Sequence, residues 1–166
     1  MKRKKSKLLL IIIILLLVIT GCKNKTNNDG KLFKDEFEKY NDTYIALNID
    51  EDNPFVIKTQ EEIIKSIDSE KAFVVFYANP KDNNSRQMVD SIIKEAKNLS
   101  LKTVYYVQMD GESNYQINDK KIEKYPSLVA VIKKDMYSLI NNKEEISTVI
   151  EPVVKELSSC DIDVGC

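Results

Sequence analysis

Histidine and tryptophan are absent from the 166 residues, and glycine, proline and cysteine number only four, four and three. Without histidine there is no Ser-His-Asp or Cys-His pair to activate a nucleophile, and a zinc site would have to be built from thiolates and carboxylates alone. So few glycines leave no Gly-rich phosphate loop. The cysteines stand at 22, 160 and 166, so no Cys-x-x-Cys occurs anywhere. Internal repeats and Pro-rich or Gly-rich tracts are also missing. Carboxylates are plentiful, in runs such as Asp50-Glu51-Asp52 and Glu61-Glu62; such runs are ordinarily solvated faces. The expectation is no metal and no resident cofactor.

What the chain does have begins at its first residues. Lys2, Arg3, Lys4, Lys5 and Lys7 precede an unbroken apolar run from Leu8 to Ile19, which closes on Thr20, Gly21 and Cys22. That order is the layout of an export signal. The run is short of the ~20 residues a membrane span needs, and the basic flank would remain on the cytoplasmic side. The segment Ile19-Thr20-Gly21-Cys22 resembles the bacterial lipobox, in which the cysteine is diacylated on sulfur and becomes the first residue after cleavage. The resemblance implies a signal peptide over 1–21, diacylglycerol on Cys22 with an N-acyl chain as a further modification, and a lipid-anchored location at the extracytoplasmic face of the cell membrane. Two acyl chains are what stable anchoring takes.

Five of the 25 basic residues and none of the 26 acidic ones lie in that leader, so the remaining 145 residues carry a formal charge of −6. A surface of that sign disfavours nucleic acid, and a length of that order suits one domain. Residues 22–31 are polar, with no apolar side chain to bury beyond Cys22, and read as a flexible tether. The folded domain is expected over 32–158 and a short tail over 159–166.

Within the domain, Ala72–Ala78 is apolar on both faces, as in a central strand covered on both sides. Arg86–Leu99 carries Met88, Val89, Ile92, Ile93, Ala96 and Leu99 on one helical face, ahead of a β-rich run at Thr103–Met109. Strand, helix and strand so spaced make a parallel βαβ unit. Ser127–Ile132 and Met136–Ile140 suit an antiparallel hairpin around Lys133-Lys134-Asp135. A last amphipathic helix is predicted from near Lys143 through Leu157, bent or divided at Pro152. Upstream, Leu32–Tyr40 reads as a docking helix and Tyr44–Ile49 as an outer strand. Gln60–Ile67 reads as a helix facing Ile63, Ile64 and Ile67 inward, with Thr59 and Glu62 as a capping box. The fold class is therefore α/β, a central mixed β-sheet flanked by helices.

This order of elements, with Phe73-Val74-Val75-Phe76-Tyr77-Ala78 before a polar turn and helix and Tyr125-Pro126-Ser127-Leu128-Val129 before a later strand, resembles the thioredoxin superfamily from about Tyr44 to Leu157. Asp52-Asn53-Pro54-Phe55 and Val104-Tyr105-Tyr106-Val107 fit its thioredoxin-like lipoproteins and the similar bacteriocin-transport accessory proteins of low-GC Gram-positive bacteria. In that superfamily the turn after the central strand carries Cys-x-x-Cys, where a helix N-terminus lowers the pKa of the first thiol. Here the two positions fall on Asp82 and Ser85. Asp82 can supply an anion to the helix terminus, and Asp82, Asn83, Asn84 and Ser85 all suit a helix N-cap. Pro126 matches the family's cis-proline, which faces the turn and offers backbone to an extended peptide; folding alone is also a sufficient reason to keep it. The resemblance thus gives a candidate binding face of Asp82, Ser85, Arg86, Tyr125 and Pro126, with Asn79 and Lys81 on the same rim and no catalytic residue.

Cys160 and Cys166, outside the membrane, are expected to pair as a structural disulfide. Their rival readings are a displaced redox pair and a metal site completed by Asp161 and Asp163. The functional expectation is a binding or accessory module for an extracytoplasmic protein or peptide. Its alternatives are a thiol-disulfide oxidoreductase using the C-terminal pair and a passive surface spacer.

Overall fold

A computed structural model describes residues 28–111 and 114–159. The leader, the lipidation expected at Cys22 and the disulfide expected of Cys160 and Cys166 lie outside the described residues. Among the described residues no helix is long and apolar enough to cross a membrane.

The elements run α1 (Asn28–Glu38), β1 (Phe55–Ile57), α2 (Gln60–Ser69), β2 (Ala72–Ala78), α3 (Asn83–Asn98), β3 (Val104–Gln108), β4 (Tyr115–Ile117), β5 (Lys120–Ile122), β6 (Ser127–Ile132), β7 (Asp135–Ile140) and α4 (Ile146–Ser158). Five strands form one mixed sheet in the order β1-β3-β2-β6-β7, with β4 and β5 a separate hairpin. β1 and β2 lie parallel to β3, while β6 pairs antiparallel with both β2 and β7. All seven residues of β2 are buried, and alternation sends them to two cores. Val74, Phe76 and Ala78 meet α1, α3 and α4 on one face. Phe73, Val75 and Tyr77 meet α2 and the β4–β5 hairpin on the other.

Several predicted elements are present with little change. β2 and β6 have the predicted bounds, the β2–α3–β3 unit is parallel, and α2 opens with the full Thr59/Glu62 capping box. The last hairpin closes on two residues, Lys133 and Lys134, both at positive φ (51° and 70°), as a tight turn matched to strand twist requires. α4 runs undivided through Pro152: Ile146, Val149, Ile150 and Val153 dock on both sides of the proline, so packing carries the helix past the missing donor. Ile64 is not inward but half-exposed, leaving Ile63 and Ile67 to cover the sheet. The β4–β5 hairpin was unexpected; its turn is Asn118-Asp119, with Asn118 at φ 53°.

Two differences concern the N-terminal part. α1 begins at Asn28 rather than Leu32, so residues 28–31 of the predicted tether are helical. The cause is packing: Gly30 is buried, its carbonyl accepts from Asn53 Nδ2 at 2.8 Å, and Phe33 stacks on Phe55 at 3.9 Å between ring centres. Residues 44–49, predicted as an outer strand, join no ladder, and β1 takes the edge instead. Their backbone is satisfied by side chains. Ile45 N–H donates to Asn83 Oδ1 at 2.9 Å. Leu47 exchanges two bonds with the Asn41 amide, at 2.8 and 3.0 Å. Ile49 donates to Glu38 Oε1 at 2.7 Å and accepts from Lys34 Nζ at 2.6 Å.

Arg86 binds this lacing to the rest of the molecule. It is fully buried, and its Nη1 donates to the carbonyls of Phe37 and Pro80 at 2.7 and 2.9 Å. Its Nε donates to the carbonyl of Ile45 and its Nη2 to Asn41 Oδ1. The planar fork thus joins the end of α1, the turn after β2, the laced segment and its own helix α3, which a lysine's single ammonium cannot match.

Two substitutions test this packing. An alanine Cβ at Gly30 would stand 2.3 Å from the Glu51 carbonyl oxygen, so Gly30→Ala should lower stability by about 1–3 kcal/mol by overpacking, although Gly→Ala inside a helix ordinarily adds up to ~1 kcal/mol. Urea unfolding measures the sign. Arg86→Met strands buried carbonyls and should cost about 3 kcal/mol or more, with Arg86→Lys recovering little; a loss within ~0.5 kcal/mol would be the size of an ordinary surface change and would remove Arg86 from its central place.

Candidate functional site

The sheet register brings the two segments singled out by the sequence side by side. Tyr77 pairs with Ser127 at the end of the β2–β6 ladder, so Pro126 and the turn that begins at Asn79 leave the sheet at the same end. The Tyr125–Pro126 peptide bond is cis. Pro126 is buried, and its carbonyl accepts from Asn141 Nδ2 at 2.8 Å, an amide that also reaches Ser127 Oγ at 2.7 Å. Ser127 Oγ in turn donates to the Lys124 carbonyl at 2.6 Å.

The turn from Asn79 to Ser85 is tied by its own polar groups. Asn79 Nδ2 donates to the Met109 carbonyl and to Asp110 Oδ1 at 3.2 and 3.1 Å. Its Oδ1 accepts from Lys81 N–H at 2.8 Å, and its carbonyl from Asp82 N–H at 3.1 Å. Asp82 is the N-cap of α3: its Oδ2 accepts from Ser85 N–H at 2.6 Å and from the Ser85 hydroxyl at 2.8 Å. Ser85 Oγ also accepts from Asn79 N–H at 3.2 Å. A carboxylate at this point complements the positive end of a helix of four turns and fills orphan donors. Side chains 82 and 85 therefore touch, the first half-exposed and the second fully buried.

Of the five candidate face residues, only Asp82 and Tyr125 keep partial exposure. Ser85 and Arg86 are fully buried and spent on internal hydrogen bonds, and Asn79 is buried as well, a correction to their place on the expected face and its rim. Arg86 turns inward because the end of α1, the turn after β2 and the 45–49 segment converge their acceptors on it. Lys81 lies over the Tyr40 ring at 5.2 Å. Sequence reasoning missed Asn141, which follows β7 without any motif and acts only through the fold.

Beside this turn is a cleft of about 140 Å³ lined by Asn84, Gln87, Met88, Asn141, Asn142, Lys143 and Glu144. It is small for a cofactor or metabolite site, which commonly takes ~300 Å³ or more. Its lining is rich in carboxamides, each both donor and acceptor, as a peptide backbone is. Larger grooves, of about 450 and 590 Å³, lie along the start of β2 and between the β6–β7 hairpin and α4, away from this turn. On the far side of Asn79 its partner Asp110 acts on Glu36, whose carboxyl is held above its ordinary pKa chiefly by burial, partly offset by the hydrogen bond from Tyr106. Burial and the nearby Glu36 carboxylate push the Tyr106 hydroxyl up as well. Among the described residues no group of three or more Cys, Asp or Glu side chains is placed to hold a metal ion.

No family model matches the chain, and no curated protein does. Solved structures do. Thioredoxin O2 from Arabidopsis thaliana, in its oxidized state, superposes with a TM-score of 0.50 at 16% identity, over 61% of this chain and 96% of that one. The J-Trx1 fragment of ERdj5 gives 0.48 at 18% identity over 63% and 54% of the two chains, and Plasmodium falciparum thioredoxin 0.43 at 12% over 58% and 96%. At such identities the likeness speaks for the fold alone. Strand order, the parallel βαβ unit and the antiparallel last hairpin agree with it, and the chain has a thioredoxin-like fold, a mixed five-stranded sheet flanked by four helices.

Proposed function

We propose that this is a lipid-anchored extracytoplasmic protein whose thioredoxin-like domain binds a protein or an extended peptide and does no thiol chemistry at the turn after the central strand. The observation that carries the reading is the pairing of Asp82 with Ser85. The two positions that the superfamily resemblance gives to cysteines hold side chains that meet at 2.8 Å, one reachable from solvent and one beneath it, yet neither can form a disulfide. What remains useful there is recognition: a cis-proline loop, the amide-rich cleft beside Asn141, and a carboxylate at a helix terminus. The anchor rests on the lipobox resemblance at Ile19–Cys22, with the cell membrane as the partner of Cys22. The natural partner of the face is an extracytoplasmic protein or peptide, and no cofactor is required beyond the lipid. The oxidoreductase alternative would place the chemistry at Cys160 and Cys166, beyond α4.

Insulin reduction by the purified protein tests the choice. The expected result is no turnover by the wild type, with turnover gained by the double variant Asp82→Cys/Ser85→Cys, whose new thiols would occupy touching positions at a helix N-terminus. Wild-type turnover that disappears in Cys160→Ser would overturn the reading in favour of an oxidoreductase with its active pair in the tail.

A further inference from the structure

The place where the chain enters the fold bears on which way the candidate face points. β1, β2 and β3 are parallel, so their first residues define one pole of the domain and the turn after β2 defines the other. Gly30, in the first turn of α1, lies at the first pole, bonded to Asn53 just ahead of β1. The next residue, Pro54, accepts from Val104 N–H at the start of β3. The end of α1 lies at the opposite pole, where the Phe37 carbonyl meets Arg86 in the first turn of α3. α1 thus runs from pole to pole, and its N-terminus is at the end remote from Asp82 and Pro126.

Only six peptide units separate Cys22 from Asn28, where α1 begins. Fully stretched they span at most about 21 Å. The seven residues of β2 rise about 20 Å and the sixteen of α3 about 24 Å between the same two poles. The leash is therefore no longer than the body it holds. Resting on the lipid anchor proposed above, we infer that the anchored domain stands with its strand-start pole toward the bilayer and its Asp82–Pro126 face outward, so that the face receives a partner from the external side rather than a segment embedded in the same membrane.

The absence of tryptophan makes the test direct, since one introduced indole is the only one. The full chain is produced in a bacterium that processes lipoproteins and reconstituted into phosphatidylglycerol/phosphatidylcholine vesicles holding a dansyl-labelled headgroup lipid. Variants Lys102→Trp, at the strand-start pole, and Asn84→Trp, at the other, both replace exposed side chains; circular dichroism verifies that each is folded. Energy transfer to the dansyl lipid is expected to be several-fold stronger from 102 than from 84. A ratio near or below one, with the mass of the Cys22 peptide showing the lipid in place, overturns the orientation and leaves the anchor standing. An unmodified Cys22 overturns the anchor itself and the orientation with it.

Discussion

The buried guanidinium of Arg86 is the interaction on which the arrangement of this domain depends. A cation in a protein interior survives only where hydrogen bonds replace its water, and here four acceptors from three separate stretches of chain do so. No ladder joins these stretches to one another. The end of α1 has carbonyls with no intrahelical donor, the turn after β2 has no ladder beyond Ala78, and residues 45–49 have no strand partner. One planar fork resolves all three, and by doing so fixes the first turn of α3 against the end of α1. The shape of the candidate face is a consequence of that junction as much as of the sheet.

Much of the fold was legible in the sequence because it rests on local periodicity. An unbroken apolar heptapeptide can be little else than a doubly covered strand, and Thr59 with Glu62 writes a helix start in two letters. The part that was illegible rests on non-local polar contacts. Ile45, Leu47 and Ile49 have the alternation of a strand, and two of them are indeed buried on one side. Nothing in that alternation discloses that Asn41, Glu38, Lys34 and Asn83 take the hydrogen bonds a neighbouring strand would have taken. The helical start at Asn28 was hidden for a similar reason. Asn-Asp-Gly-Lys is a turn sequence by propensity, and it becomes helical because Gly30 alone fits against the Glu51 carbonyl.

The site divides in the same way. A capped helix start within 82–85 was legible from residue type, and Pro126 beside the turn was an expectation of the resemblance alone. The burial of Ser85 and Arg86 was not legible, since a polar residue in a first helical turn reads as exposed unless the chain packed over it is known. That α1 and the 45–49 segment cover this end of α3 is a tertiary fact, and it narrows the usable face to Asp82, Tyr125 and the carboxamides around Asn141. At the turn two positions touch at a helix start, one wet and one dry, and the carboxylate and hydroxyl there satisfy each other and the backbone.

The side-chain lacing of residues 45–49 also sets the order in which the molecule can loosen. Ladder amides are released when strands part, but the amides of Ile45, Leu47 and Ile49 are tied to groups on α3, the loop after α1 and α1 itself. Cooperative opening follows such shared dependencies rather than sequence neighbourhood. Undocking α1 together with Asn41 frees Leu47 and Ile49 together and withdraws two acceptors from Arg86, while β2, β3 and β6 remain paired. In a hydrogen-exchange experiment the N-terminal helix and this segment would therefore behave as one unit of lower protection, set against a sheet that exchanges only through global unfolding.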